Sequence, residues 1–250
     1  AKPEGAEWAK KPITVTTTRY QYDGQGIVEP AYRHVFVVPT DGGFARQLTQ
    51  GNFNHYGSLA WSPNSDQIFF SAYRSADWEL VSDEADIYSV DISTKELKQI
   101  TTESGAERSP IISPNGKMIA FTKEERRPLA YSPDRIAIMD LNGKNLRLLS
   151  EDLDGDASNL IWADDSQSIY YTYDERGTRK IGRANLKGKL SHVISGLGGT
   201  SIGRPYLSGG FHAANTTLAF THGTSERPAN IAVINNGQIN VLTSLNEDLL

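Results

Sequence analysis

Cysteine is absent from all 250 residues. That excludes disulfides, thiolate catalysis and Cys-ligated zinc, and it leaves the redox compartment open, because cytosolic and periplasmic chains can both lack cysteine. No apolar run approaches the ~20 residues needed to span a bilayer, so no membrane partner is expected. The first eleven residues, Ala1 to Lys11, lack the basic-then-apolar layout of a secretion signal. The chain also opens without Met, which leaves room for a signal removed earlier. The cytoplasm is the expected location, with the periplasm as the alternative. No Lys/Arg block interrupts a formal net charge of −5, so the electrostatic footprint of a nucleic-acid binder is missing. The five histidines, His34, His55, His192, His212 and His222, show no short metal-ligand spacing. No metal or other cofactor is expected. A sustained helical period is lacking too, which points to an all-β class.

What is present is a repeat. Ala60-Trp-Ser-Pro-Asn-Ser-Asp-Gln-Ile-Phe-Phe-Ser71 recurs as Ile111-Ile-Ser-Pro-Asn-Gly-Lys-Met-Ile-Ala-Phe-Thr122 and as Ile161-Trp-Ala-Asp-Asp-Ser-Gln-Ser-Ile-Tyr-Tyr-Thr172. A looser copy runs from Tyr206 to Thr221. Each copy is followed by an alternating strand, a polar turn and a short strand ending in an aliphatic residue then Thr or Ser. With an earlier unit at the N-terminus there are five such endings, at Thr49, Thr101, Ser150, Ser195 and Thr243, spaced 45 to 52 residues apart. One four-stranded propeller blade occupies about that length. Ser62-Pro63 and Ser113-Pro114 put proline where a type I turn needs φ near −65°, and Asn142-Gly143, Lys187-Gly188 and Asn236-Gly237 read as hairpin turns.

The expected fold is therefore an all-β propeller of four-stranded blades forming a single domain over residues 1–250, with blades at about 12–50, 56–102, 108–151, 157–196 and 203–244. Short innermost strands are expected at Gly57 to Trp61, Ser109 to Ile112, Asn159 to Trp162 and Gly203 to Leu207. The first blade has no such strand and starts with a second strand over Ile13 to Tyr20, which suggests that natural sequence upstream is missing and that the ring is open or truncated. Exposed blade edges would then invite self-association.

The Trp61-Ser-Pro-Asn64 turn, the Ile68-Phe-Phe70 and Ile119-Ala-Phe121 strands and the Leu-Thr blade endings resemble the repeat shared by TolB-like proteins (WD-type repeats) and the prolyl oligopeptidase family. Tyr20 to Gly26, leading to His34-Val-Phe-Val-Val-Pro39, and Leu242-Thr-Ser-Leu-Asn246 resemble the acylaminoacyl-peptidase and dipeptidyl-peptidase branch. That resemblance implies the substrate-gating propeller of a serine peptidase acting on short peptides, partnered by its own α/β-hydrolase domain downstream of residue 250. The alternative is a TolB-like propeller that binds protein partners.

No catalytic residue is expected in this chain. Gly199-Thr-Ser201-Ile-Gly203 fits a nucleophile pattern, but Pro205 follows where a helix is required, and no His succeeds Glu247 or Asp248 to complete a triad. Asp152, Asp154 and Asp156 suggest a calcium loop, yet Ala163 stands where a bidentate Glu is needed. Two long loops, Tyr73 to Ala85 and Glu124 to Asp134, share one face. On them Glu124, Glu125, Arg126 and Arg127 are the candidate substrate contacts, against the plainer reading of a charged hairpin tip. Tyr73, Trp78 and Tyr131 are candidates for packing on a neighbouring domain.

Overall fold

A computed structural model describes residues 3–5, 7, 9, 12–29, 31–81, 84–127, 131–199, 209–215, 217–224, 226–235 and 237–245. Residues 200–208, which include Ser201 and the expected strand from Gly203 to Leu207, lie outside the described residues, as do Asn236 and Asn246. Among the described residues there is no helix, and the strands form six antiparallel sheets.

Two of these sheets are small hairpins: β1 (Gln21–Tyr22) with β2 (Gly26–Ile27), and β3 (Phe36–Val37) with β4 (Arg46–Gln47). The other four are four-stranded meanders. The first comprises β5 (His55–Trp61), β6 (Gln67–Ala72), β7 (Asp86–Asp91) and β8 (Leu97–Gln99). The second runs through β9 (Ala106–Ile112), β10 (Met118–Glu124), β11 (Arg135–Asp140) and β12 (Arg147–Leu148). Then come β13 (Ser158–Trp162), β14 (Ser168–Glu175), β15 (Thr178–Asn185) and β16 (Leu190–Ser195). The last holds β17 (Phe211–Ala214), β18 (Thr217–His222), β19 (Asn230–Asn235) and β20 (Gln238–Val241). Counting the β3–β4 hairpin as a partial first blade, the meanders are blades two to five. Among the described residues no closed ring is formed. The strand anticipated over Ile13 to Tyr20 is not there: residues 12–20 are irregular and largely exposed. Among the described residues no innermost strand lies beside that segment to complete a ladder, and a strand without partners does not hold in water.

Each interior blade is buried on both faces, which is why its middle strands read as unbroken apolar runs instead of alternating ones. β6 shows this directly. Ile68 and Phe70 pack back on Val35 and Leu48 of the first hairpin, while Phe69 joins Ile87 in packing forward on Ile119, Phe121, Ala137 and Met139. The pattern repeats between the next blades, where Ala120, Ile136, Ile138 and Leu149 meet Ile169, Tyr171 and Ala184. It recurs once more, with Ile181 and Ile194 against Leu218, Phe220 and Ala232. The hydrophobic core thus lies between blades. Each side chain of this size contributes about 1.5–3 kcal/mol when fully buried.

Two hydroxyl devices recur among the repeats. The blade-ending hydroxyl accepts an amide near the start of the third strand: Val35 N–H to Thr49 Oγ1 (2.9 Å), Ile87 to Thr101 (2.9 Å), Ile136 to Ser150 (2.8 Å) and Ile231 to Thr243 (2.9 Å). Ser195 departs from this and contacts His192 Nε2 at 3.3 Å. In the Ser-Pro-Asn turns, Ser62 Oγ accepts the amides of Asp66 and Gln67, and Ser113 Oγ those of Lys117 and Met118. Neighbouring turns touch. A Cβ on Gly116, whose φ is +68°, would lie 2.4 Å from Pro63 Cγ, so both conformation and space require glycine there.

Candidate functional site at the axial funnel

The innermost strands line a cavity of about 520 Å³ along the axis of the array. Each of the three complete innermost strands β5, β9 and β13 breaks its ladder at the same place. Gly57, Ser58 and Leu59 stand opposite Phe70, Ser109 and Pro110 opposite Phe121, and Asn159 and Leu160 opposite Tyr171. Such bulges re-aim side chains. Ser109 (φ +55°) and Asn159 (φ +50°) are forced into the left-handed region, which costs on the order of 1–3 kcal/mol for a residue other than glycine.

A third hydroxyl series supports the bulges. Ser109 N–H donates to Ser71 Oγ of the preceding blade (3.1 Å), Thr122 Oγ1 donates to Arg108 O (3.3 Å), and Thr172 Oγ1 accepts from Asn159 Nδ2 (3.0 Å). Thr221 Oγ1 does the same work for the last blade, donating to Gly198 O (2.8 Å) and accepting from Gly210 N–H (3.1 Å). These are the Ser and Thr that end each copy of the repeated segment.

At the funnel mouth Arg108 pairs with Glu124 at 2.8 Å, with both side chains partly exposed. Asp134 lines the same cavity, and its Oδ1 is buried without a hydrogen-bond partner. Burial pushes the Asp134 carboxyl above its ordinary range, with Arg108 opposing and Glu124 and Asp156 adding to the rise. Donors (Arg108, Asn159) and an acceptor (Asp134) therefore line one opening, and Glu124 reaches it only through its ion pair with Arg108.

None of the four candidate contacts lines this cavity; Glu124 alone pairs with a residue that does, Arg108. Arg127 pairs with Glu125 two residues away, and Arg126 reaches across to Glu84 (3.0 Å). Glu84 also accepts Gly105 N–H (3.0 Å), so it ties both long loops to an inter-blade loop. Trp78 is half-buried, edge-on to Tyr32 at 5.9 Å, and Tyr131 donates to Asp156 (2.8 Å) while the residue stays 58% exposed. The Asp156 carboxylate is engaged with Tyr131 and with the Asp134 amide (2.9 Å). No cluster of three metal-ligating side chains exists among the described residues.

Sequence reasoning missed Arg108, Ser109, Asp134 and Asn159. A signal for the bulges was available: Ser58, Ser109 and Asn159 each stand three residues before the Trp61, Ile112 or Trp162 position. It also missed the buried pair of Glu107 and Lys123, which face each other across β9 and β10. Lys123 bonds Glu103 as well, at 3.0 Å. Burial alone would lower the Lys123 pKa, but the two carboxylates outweigh it and hold the ammonium charged.

A second cavity, of about 560 Å³, opens between the last two blades beside Gly196 to Gly199. Gly177, Gly196, Gly198, Gly199 and Gly223 form much of its lining, and its Arg179 is already paired through two 2.9 Å bonds with Asp174. The funnel is the better provided site.

The family model described as the TolB beta propeller domain matches residues 35–249. The chain belongs to the TolB β-propeller domain family. Among solved structures, this TolB-type propeller is similar to TolB from Acinetobacter baumannii, with a TM-score of 0.59, 22% identity, and 83% of this chain and 48% of that one covered. It is also similar to an oligogalacturonate lyase from Vibrio parahaemolyticus, with a TM-score of 0.61, 15% identity, and 84% and 60% covered. At such identities the likeness is one of fold. A dipeptidyl-peptidase 5 from Porphyromonas gingivalis is 23% identical over 197 residues, which make up 77% of this TolB-type chain and 28% of that protein. The chain thus spans less than a third of the curated relative and about half of the TolB structure.

Proposed function

We propose that this propeller is the non-catalytic, substrate-gating domain of a serine peptidase of the prolyl oligopeptidase family, of acylaminoacyl- or dipeptidyl-peptidase type, acting on short peptides. The observation that carries the reading is the correspondence between 77% of this chain and a 28% portion of a dipeptidyl-peptidase. The funnel supports it. A cavity of about 520 Å³ has room for an extended peptide of a few residues. Glu124 and Asp134 are placed to attract a peptide amine, and Arg108 to attract a carboxylate. A second reading, a propeller that binds protein partners, is favoured by the TolB family match over residues 35–249.

Hydrolysis of acetyl-alanyl and dipeptidyl chromogenic substrates separates the two. The assay compares the 250-residue chain with the same chain extended by the sequence that adjoins it in its gene. Activity confined to the extended protein is the expected result. Activity in neither form would sink the gating reading and leave the binding one, and activity in the shorter chain would return Ser201 to consideration as a nucleophile.

A further inference from the structure

One position of the repeat places side chains against the blade-ending hydroxyls. The residue just before the amide that donates to that hydroxyl is His34, Asp86 or Asn230 in three of the blades, and each touches it: His34 Nδ1 and Thr49 Oγ1 at 3.3 Å, Asp86 Oδ1 and Thr101 Oγ1 at 3.4 Å, Asn230 Oδ1 and Thr243 Oγ1 at 3.0 Å. The junction between the second and third blades adds another acid. Glu107 of β9 is fully buried, with Oε2 3.4 Å from the same Thr101 hydroxyl and Oε1 accepting from Lys123.

Thr101 cannot serve both acids as carboxylates. A hydroxyl has one proton to donate and two lone pairs. One lone pair already accepts Ile87 N–H at 2.9 Å, which leaves one lone pair and one proton for Asp86 and Glu107. With Asp86 protonated the set closes: Asp86 donates to Thr101, Thr101 donates to Glu107, and Lys123 donates to the other Glu107 oxygen. With Asp86 ionised, two carboxylates compete for a single proton. The Lys123 ammonium holds Glu107 in its charged form, so Asp86 is the acid that carries the proton. Around Asp86 stand Glu84, itself paired with Arg126, then Glu107 and Lys123, with Gln99 bonded to it and Tyr56 and Tyr88 beside it. Burial raises its carboxyl to about 6.

We propose that Asp86, Thr101 and Glu107 form a proton-operated clamp between the second and third blades, closed in weak acid and loosened at neutral pH. Asp86 and Thr101 belong to one blade and Glu107 and Lys123 to the next, so a closed set ties the two together. The effect reaches the funnel. Arg108 and Glu124, the pair at its mouth, directly follow Glu107 and Lys123 in β9 and β10, and Ser109 N–H spans the same junction to Ser71 Oγ (3.1 Å). The proton on Asp86 therefore sets how firmly the mouth is held, under either functional reading.

Amide hydrogen exchange of the 250-residue chain, followed by NMR and taken relative to the unfolded rate at each pH, tests the clamp. Protection of the Glu107 amide, which donates to Ala85 O at 2.7 Å, and of the Ser109 amide should fall as pH rises. The fall between about pH 5 and about pH 7.5 should be at least about tenfold, within a ceiling of about a hundredfold set by an Asp86 value of about 6 against the ordinary 3.8. Ile136 N–H, which donates to Ser150 Oγ at the next junction with Arg135 in the place of Asp86, should keep its protection throughout. Asp86→Asn supplies a donor at every pH, and asparagine already stands at this position as Asn230, so its protection should stay high and flat. Thr101→Ser keeps the hydroxyl and should keep the pH dependence. A flat wild-type profile overturns the proposal, as does a fall that persists in Asp86→Asn, disappears in Thr101→Ser or is shared by Ile136.

Discussion

Trp162 and Trp61 occupy the same position of the repeat and live in different surroundings. Trp162 is 5% exposed, and its indole N–H donates to Ile111 O of the preceding blade at 3.2 Å. Trp61 is 49% exposed, because no innermost strand lies in front of it among the described residues. Nothing local separates them: one follows Ala60, the other Ile161, and both end a bulged strand. The difference teaches that in this fold a residue's burial belongs to the neighbouring blade rather than to its own. An interior blade has both faces covered. An end blade displays one.

The largest test of that contrast is a pair of truncations followed by urea unfolding. Trp162→Ala should cost about 3–5 kcal/mol, as expected for a buried tryptophan left as a cavity. Trp61→Ala should cost no more than about 1 kcal/mol, because roughly half of its surface is already in water. Equal costs would mean that Trp61 is covered in solution.

Next in size is acid sensitivity at the front of the array. His55 is buried between the first hairpin and the second blade, ring-on-ring with His34 and Phe70. Its Nδ1–H donates to Arg33 O (2.7 Å), and Nε2 accepts from Arg74 (2.7 Å), which requires a neutral ring. Burial, aided by the positive charge of Arg74, lowers its pKa from 6.5 to about 4. The unfolded chain therefore binds the proton first, and stability should fall as pH drops from 6.5 toward 4, by up to about 3 kcal/mol. Asp86 works in the opposite sense. Burial raises it to about 6, so the stability linked to its proton is present below the ordinary carboxylate value and lost as pH rises through about 6. Unfolding against pH for His55→Gln and Asp86→Asn resolves the two. The first should flatten the acid decline, and the second should steepen it.

The smallest contrast concerns two glycines with the same left-handed backbone. Gly116→Ala sets a methyl group against Pro63 of the neighbouring turn, whereas Gly237→Ala in the last blade meets nothing within 4 Å. The first should cost about 2–3 kcal/mol, combining strain and overlap, and the second about 1 kcal/mol from strain alone. Melting temperatures of both variants check this.

Much of the architecture was legible because each blade repeats its own punctuation. The Leu-Thr endings and the Ser-Pro-Asn turns are short-range hydrogen-bonding units, so they mark the same places in the sequence and in the fold. The site was less legible. Ser109 and Asn159 look like ordinary polar strand residues, and their left-handed conformations arise only when a bulge is forced between Arg108 and Ile111 or between Ser158 and Ile161. Glu107 and Lys123 are 16 residues apart, and strand register alone makes them partners. Glu124 to Arg127 are conspicuous as a charge run, yet the fold disperses them to Arg108, Glu84 and one another.

The sequence by itself determined the blade, its period, its turns and its all-β character, because those follow from apolar patterning and local hydrogen bonds within about 50 residues. Tertiary structure alone decided which equivalent residues are buried, where the funnel lies and which faces stay open. Those properties depend on the packing of one blade against the next, and that contact has no counterpart inside a single repeat.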